Sequence, residues 1–136
     1  RLLSRGLGDV YKRQVLFRSE RLILFPEGTS SDGRKVLPFK PSLFEAPIQA
    51  DAIVQPLTIR YEKINGMPVD LRSKPLLAWY GAMDLLPHLW QSLSVGTITI
   101  KIVFHKPIRA IVFSNRKKLA SHCQKIIALE SEKSNQ

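Results

Sequence analysis

A single cysteine, Cys123, stands in 136 residues. It cannot close an internal disulfide, which excludes a disulfide-stapled secreted scaffold and a Cys-rich zinc module. No segment reaches the roughly 18 consecutive apolar residues of a membrane-spanning helix. The longest uncharged stretch, Leu85–Ile100, is broken by Pro, Gln, Gly, Ser and Thr. Internal repeats and low-complexity tracts are missing too. Methionine is confined to Met67 and Met83, and none opens the chain, so the sequence reads as a fragment or a processed product. Acidic residues are scarce: 11 Asp+Glu stand against 21 Lys+Arg, a net charge of +10. What is present is a hydrophobic fraction of 44% with Phe, Trp and Tyr among it. That content argues against disorder, and the length suits a small domain with a core of its own.

A net charge of this size invites a nucleic-acid or anionic-membrane reading. Its distribution narrows that reading. Residues 1–21 carry net +4 and residues 101–136 net +6, whereas 22–100 is balanced with seven charges of each sign. The first stretch, Arg1–Gln14, mixes glycines, basic residues and isolated leucines without sustained periodicity, and lacks the apolar core of a signal peptide. It resembles a sequencing linker read in frame. Arg1–Gln14 is therefore expected to be a non-native lead-in, the alternative being a flexible basic arm. It accounts for three of the ten net charges.

Hydrophobic patterning suggests alternating strands and helices. Arg21–Pro26 is a short apolar run ended by proline and reads as a buried strand. Glu27–Lys40, rich in Gly, Ser, Thr, Asp and Pro, reads as a loop. Pro41–Ala50 reads as a short helix with Leu43, Phe44 and Ile48 inward, despite Pro47. Ile53–Tyr61 is a second strand, with Pro56 at a bulge or edge, and Glu62–Lys74 a polar connection. Leu76–Tyr80 is a candidate third strand. Asp84 suits an N-cap for a helix over Leu85–Leu93, with Pro87 in the first turn. Leu85, Leu86, Leu89, Trp90 and Leu93 fall on one stripe of that helix, expected to face a core, with a membrane surface as the alternative. Thr97–Phe104 is the clearest strand. Ser114 is placed to cap a last helix with Leu119, Cys123, Ile126 and Ile127 on one face, and Glu130–Gln136 is expected to fray. The pattern implies an α/β domain with a partial, mostly parallel sheet flanked by helices.

The chemistry-bearing segment is Phe25-Pro26-Glu27-Gly28-Thr29-Ser30-Ser31, followed by Leu37-Pro38-Phe39-Lys40. It follows an apolar run, and ligands of open α/β sheets bind beyond the carboxyl ends of strands. Gly28 permits positive φ and close backbone approach. Consecutive N–H groups of Gly28, Thr29 and Ser30 could form an anion-holding nest, with hydroxyls from Thr29, Ser30 and Ser31 and positive charge from Arg34, Lys35 and Lys40. Glu27 would repel a phosphate. Either it accepts a hydrogen bond from a substrate hydroxyl, or it clamps an arginine that holds the phosphate. A solvated Pro-Glu-Gly turn is the alternative.

This block, with its downstream Leu-Pro-Phe-Lys, resembles the third motif of the glycerolipid acyltransferases, the 1-acylglycerol-3-phosphate (lysophosphatidate) acyltransferase group. Val54-Gln55-Pro56-Leu57 resembles the fourth motif, and the stretches around Trp79–Trp90 and Thr97–Ile108 resemble bacterial members. The resemblance spans Val15–Lys118, so that 15–136 reads as the C-terminal part of a single acyltransferase domain. It implies the glycerol-3-phosphate acyltransferase-like fold, with the N-terminal half missing. Two departures concern the phosphate contacts: Ser30 stands where members usually have Arg, and Ser42 where Gly is frequent. The largest is the first motif, a His followed five residues later by Asp. His88, His105 and His122 are followed at that spacing by Leu93, Ala110 and Ile127. The Arg-bearing second motif is not recognisable either.

The resemblance implies transfer of an acyl group from acyl-CoA or acyl carrier protein to the free hydroxyl of a lysophospholipid. The first-motif His would be general base and Asp its orienting partner. It implies substrate-binding roles for Phe25, Pro26, Glu27, Gly28, Thr29, Ser30 and Lys40, support from Pro56, no metal and no cofactor. It also implies a peripheral place on the cytoplasmic face of a membrane, that of a bacterial inner membrane. Without its base, the chain alone is expected to be inactive. A lyso-ornithine lipid is a further acceptor the residues leave open. The competing class is a non-enzymatic basic module for anionic lipid or nucleic acid. The balanced central body and the absence of a basic stripe with interleaved aromatics speak against nucleic acid. The three histidines read as structural or surface residues, Cys123 as a small apolar packer, and Arg116-Lys117-Lys118 as a solvated run or an anionic-surface contact.

Overall fold

The computed structural model describes residues 21–70, 73 and 76–133. Arg1–Gln14 lies outside the described residues. After residues 21–25, which form no helix or strand, the chain passes through a 3-10 turn at Pro41–Phe44 into helix α1 (Glu45–Gln49). Strands β1 (Ile53–Val54), β2 (Leu57–Ile64) and β3 (Met67–Pro68) follow. Helix α2 (Leu85–Leu93) precedes β4 (Ile98–Phe104) and β5 (Ile108–Arg109), and a 3-10 turn at Ala110–Val112 leads into the long helix α3 (Arg116–Glu132).

Every described strand pairing is antiparallel, which corrects the expectation of a mostly parallel sheet. The sheets are β1–β5 and β3–β2–β4. A parallel pair needs a crossover element laid across the sheet face. Helix α2, which stands between β2 and β4 in the chain, buries none of its residues and provides no such layer. Instead β4 returns directly alongside β2, with Leu57 opposite Phe104 and Ile59 opposite Ile102. Beyond Pro56 the ribbon continues into β1–β5. The His105 N–H donates to the Pro56 carbonyl at 3.1 Å, and the Ala110 N–H to the Ala52 carbonyl at 2.9 Å. Pro56 has no N–H for the ladder, and the strand expected over Ile53–Tyr61 is split there, as its proline foretold.

Other expectations needed correction. Arg21–Pro26 is not assigned as a strand, because no described strand pairs with it. The strand after Pro56 extends to Ile64, and Asn65-Gly66 turns it into β3 with Ile64 opposite Met67. Both turn residues have positive φ (50° and 80°), the conformation that two-residue hairpins favour and that Asn-Gly supplies. The polar connection read over Glu62–Lys74 thus contains a hairpin. Leu76–Tyr80 makes no strand. Helix α2 has the expected bounds, but the Asp84 side chain makes no capping bond. Asn115, not Ser114, caps α3: its Oδ1 accepts from the Lys118 N–H at 3.0 Å. Glu130 does not fray, since α3 runs through Glu132 and Arg60 meets Glu130 at 3.4 Å.

The core sits where α3 crosses the 3-10 turn and the β1–β5 pair. Phe39, Phe44, Ala110, Leu119, Ala120 and Cys123 are buried together, with Leu43, Ile48, Val54 and Ile127 packed against them. Leu119 and Cys123 are one helical turn apart, as the stripe predicted, with Ile126 and Ile127 partly buried beyond them. Around this core, large apolar surfaces are bare. Thr58 is buried and Arg60 reaches α3, so alternate residues of β2 face the helix. The opposite face carries Leu57, Ile59 and Tyr61, and their cross-strand partners Phe104, Ile102 and Ile100, all exposed. The α2 stripe is equally bare, with Leu86 78% and Trp90 76% exposed. That corrects its assignment to a core. No described helix is long and apolar enough to cross a membrane.

Candidate functional site

Phe25-Pro26-Glu27-Gly28 forms a tight turn. The Gly28 N–H donates to the Phe25 carbonyl at 3.1 Å, closing it across four residues. Proline at the second position presets the required φ. Gly28 has φ +63°, where a side chain would be strained. The downstream segment then fastens onto the turn. The Lys40 N–H donates to the Pro26 carbonyl at 2.8 Å, and Lys40 Nζ to the Gly28 carbonyl at 3.1 Å. A Cβ on Gly28 would lie 2.8 Å from Lys40 Cδ and Nζ, so the lysine stem occupies the space glycine leaves. Glu27 is the third link, because its carboxylate accepts from the Leu37 backbone. The two halves of the motif read from the sequence are thus one zipped unit.

This unit is tied to the core through Phe39. Its ring is buried and stacks on Phe44 with centroids 6.3 Å apart. Its N–H points at Gln124 Oε1 on α3, at 3.5 Å. Gln124 is a supporting residue that sequence reading missed. It lies 85 residues away and carries no local signal. Leu37 was missed as well, because its contribution is a backbone group.

Burial pushes the Glu27 carboxyl above its ordinary range, opposed in part by the Leu37 backbone hydrogen bond. The other expected contributors are placed as follows. Phe25, Gly28, Thr29, Ser30 and Lys40 are exposed, with Pro26 half-buried. The Thr29 hydroxyl donates to the Ser30 carbonyl at 3.4 Å, and Ser31 Oγ accepts from the Gly33 N–H at 3.3 Å. The anion nest is not complete as drawn from the sequence, since the turn uses the Gly28 N–H. Arg34 is paired with Asp32 at 3.3 Å. The Lys40 ammonium sits on a backbone carbonyl of the turn.

Beside the turn lies an apolar cavity of about 220 Å³. Pro26 and Leu24 line it on the turn side, Pro56 and Val54 on the ribbon side, with Phe44 and Cys123 from the core. Pro56, buried at the strand break, therefore shares a wall with the turn. Burial pushes the Cys123 thiol up to about 11, which leaves it protonated at neutral pH.

The histidines are engaged elsewhere. His105 Nε2 lies 2.8 Å from the buried Thr58 hydroxyl. His122 packs on the Phe113 ring with centroids 5.1 Å apart, and His88 Nδ1 lies 3.4 Å from Ser92 Oγ. Among the described residues no cluster of His, Cys, Asp and Glu is arranged to hold a metal ion.

A family model described as Acyltransferase matches residues 5–60, a span that contains the whole turn unit and Pro56. The lyso-ornithine lipid O-acyltransferase of Brucella abortus (strain 2308) is 38% identical over 112 residues, covering 77% of this chain and 42% of that protein. The lyso-ornithine lipid O-acyltransferase of Rhizobium meliloti (strain 1021) is 35% identical over 127 residues, covering 88% and 43%. The 1-acyl-sn-glycerol-3-phosphate acyltransferase of Neisseria gonorrhoeae is 33% identical over 91 residues, covering 67% and 33%. No solved structure matches. The chain spans less than half the length of these curated relatives. On these similarities the chain belongs to the acyltransferase family.

Proposed function

We propose that the protein carrying these residues moves an acyl group from a thioester, acyl-CoA or acyl carrier protein, to the free hydroxyl of a lysolipid. The observation that carries this reading is the zipped turn, which sets a partly desolvated carboxylate beside an apolar cavity. Glu27 accepts a hydrogen bond from the acceptor, Gly28 lets the backbone come close to it, and Thr29 and Ser30 present backbone and hydroxyl groups to its head. Phe25 and Pro26 shape the approach, and Lys40 holds the Gly28 carbonyl in place. The cavity between Pro26 and Pro56 admits several carbons of an acyl chain. In the reaction the acceptor oxygen bonds to the acyl carbon and the carbon–sulfur bond breaks. The leaving thiol takes up the proton lost by the hydroxyl.

Two acceptors fit this scheme, lysophosphatidate and a lyso-ornithine lipid. Relatives named for the second share 30–38% identity with the chain and reach 38% over 112 residues, against 32–33% over 91 residues for those named for the first. The lyso-ornithine lipid is therefore the first acceptor to try. The work is done from one face of a membrane, with the enzyme peripheral to it. The chain holds no His followed five residues later by Asp, so these residues alone bind and orient and do not remove the proton. A thiol-release assay tests the scheme on two proteins, this chain and the natural gene product that carries it. The chain should show no turnover. The gene product should use one of the two lysolipids, and Glu27→Ala should lower its kcat/KM by about 10- to 100-fold, the range for losing a hydrogen bond to a charged group. Unchanged kcat/KM would remove Glu27 from the site, and turnover by the chain alone would refute the missing-base argument.

A further inference from the structure

We propose that the 3-10 turn Ala110–Val112 and the start of α3 form a docking surface for an anionic lipid bilayer. The turn is pinned from beneath. Ala110 is fully buried, its N–H donates to the Ala52 carbonyl at 2.9 Å, and Phe113 closes the turn with a 3.1 Å bond to the Ala110 carbonyl. This anchoring pushes the two residues between them outward: Ile111 is 56% and Val112 76% exposed. A rigid aliphatic tip in water is a cost without a local return.

The charge along the segment that carries the tip has one sign. From His105 to Lys118 there is no acidic residue, while Lys106, Arg109, Arg116, Lys117 and Lys118 are all basic. Arg109 is ion-paired with Asp51, and Arg116 with Glu45 at 2.8 Å. That leaves Lys106, Lys117 and Lys118 as exposed cations, on either side of the tip in sequence. Lys117 and Lys118 sit in the first turn of α3, which holds no acidic residue. Cations there oppose the helix dipole. An anionic surface offsets that repulsion, so the placement favours contact over isolation.

Aliphatic tip and flanking cations together specify the partner. Ile111 and Val112 fit the boundary of headgroups and acyl chains, where lysines reach back to phosphate. A nucleic acid would meet the cations but leave the tip in water. The bare α2 stripe is apolar too, but Leu85–Leu93 contains no Lys or Arg. Nothing in it distinguishes an anionic surface from a neutral one. The inference deepens the proposed function, since it says how such an enzyme would meet its lipid. It is tested without turnover, so either reading can fail alone.

The test is flotation of the purified chain with phosphatidylglycerol-containing and with pure phosphatidylcholine vesicles. Preferential binding to the anionic vesicles, weakened by salt, is expected. Lys117→Gln and Lys118→Gln should each weaken it about fivefold, the effect of one basic residue near a charged bilayer. Ile111→Ser with Val112→Ser should weaken it about tenfold or more. All four residues are exposed, and unchanged thermal unfolding would show that the variants still fold. Leu86→Ser with Trp90→Ser should leave the anionic preference intact. The proposal is overturned if the α2 variant abolishes that preference while the lysine variants keep it. It is also overturned if a DNA duplex competes away the vesicles and the Ile111/Val112 variant binds as well as the parent.

Discussion

Gly28→Ala isolates the geometry on which the turn depends. The backbone at Gly28 has φ +63°, and an L-residue held there costs about 1–2 kcal/mol. The new Cβ would also lie 2.8 Å from Lys40 Cδ and Nζ. The lysine end is flexible and exposed, so it moves away rather than breaking the fold. In moving it gives up its 3.1 Å bond to the Gly28 carbonyl, worth about 0.5–1 kcal/mol at an exposed site. The single variant should therefore lose about 2 kcal/mol. Lys40→Ala alone should lose only the hydrogen bond. In the double variant the lysine has nothing left to lose, so its cost should fall short of the sum of the singles by about that bond. Urea unfolding of the four proteins, with equal m-values, reads the cycle. A neutral Gly28→Ala would refute the left-handed backbone assignment. Strict additivity would refute the contact between lysine stem and glycine, leaving the backbone argument standing.

Leu119, fully buried in the core, should cost about 2–5 kcal/mol when changed to alanine, read by the same unfolding experiment. Cys123, whose thiol burial holds at about 11, should resist alkylation by iodoacetamide at pH 7.5 and react rapidly once urea unfolds the chain. Glu27 gives a pH signature. Its folded pKa is raised, so its stabilising contribution is present below the ordinary value of 4.5 and is lost as pH rises through the folded value. Glu27→Gln should then be the more stable protein at neutral pH, with the advantage disappearing below about pH 4. Thermal unfolding from pH 4 to 7 checks this, and a Gln variant less stable at pH 7 would reverse the sign argued here. Glu130 acts the opposite way. The Lys133 hydrogen bond lowers its carboxyl, so its contribution is lost on acidification and leaves the Glu27 comparison undisturbed above pH 5.

Local chemistry was readable wherever neighbours in sequence decided the outcome. Pro56 breaks its strand because it has no N–H, and Gly28 takes positive φ because it has no Cβ. Both follow from single residues. The α2 bounds and the buried face of α3 follow from helical period. Asn65-Gly66 is a hairpin signal as well, but the charged residues around it give the stretch the look of a loop. The Asn65 side chain even clasps the segment just ahead of β4, with Nδ2 on the Val95 carbonyl at 2.7 Å and Oδ1 on the Thr97 N–H at 2.9 Å. Strand direction was not readable. A run such as Thr97–Phe104 has the same alternation whether its neighbour is parallel or antiparallel. The order strand, helix, strand suggested a crossover only on the assumption that α2 covers the sheet. Gln124 and the Leu37 backbone were invisible for the same reason, since both meet the turn through tertiary placement.

The structure also gives Glu27 a double meaning. A carboxylate pushed toward its neutral form by burial costs the fold something at neutral pH, and a glutamine would hold the same Leu37 contact without that cost. A turn selected for stability alone has no reason to carry it. The surroundings add one cost in the same direction, an apolar cavity left open between Pro26 and Pro56. The positive φ at Gly28 and the Lys40 bonds fix the backbone on which Glu27 is carried. Stability spent on holding one ionisable group still, next to space for a chain, is the arrangement expected of a group that must meet a ligand. On that argument the stabilising effect of Glu27→Gln and the activity loss of Glu27→Ala are two readings of one trade. A variant that gained stability with full activity would break the link between them.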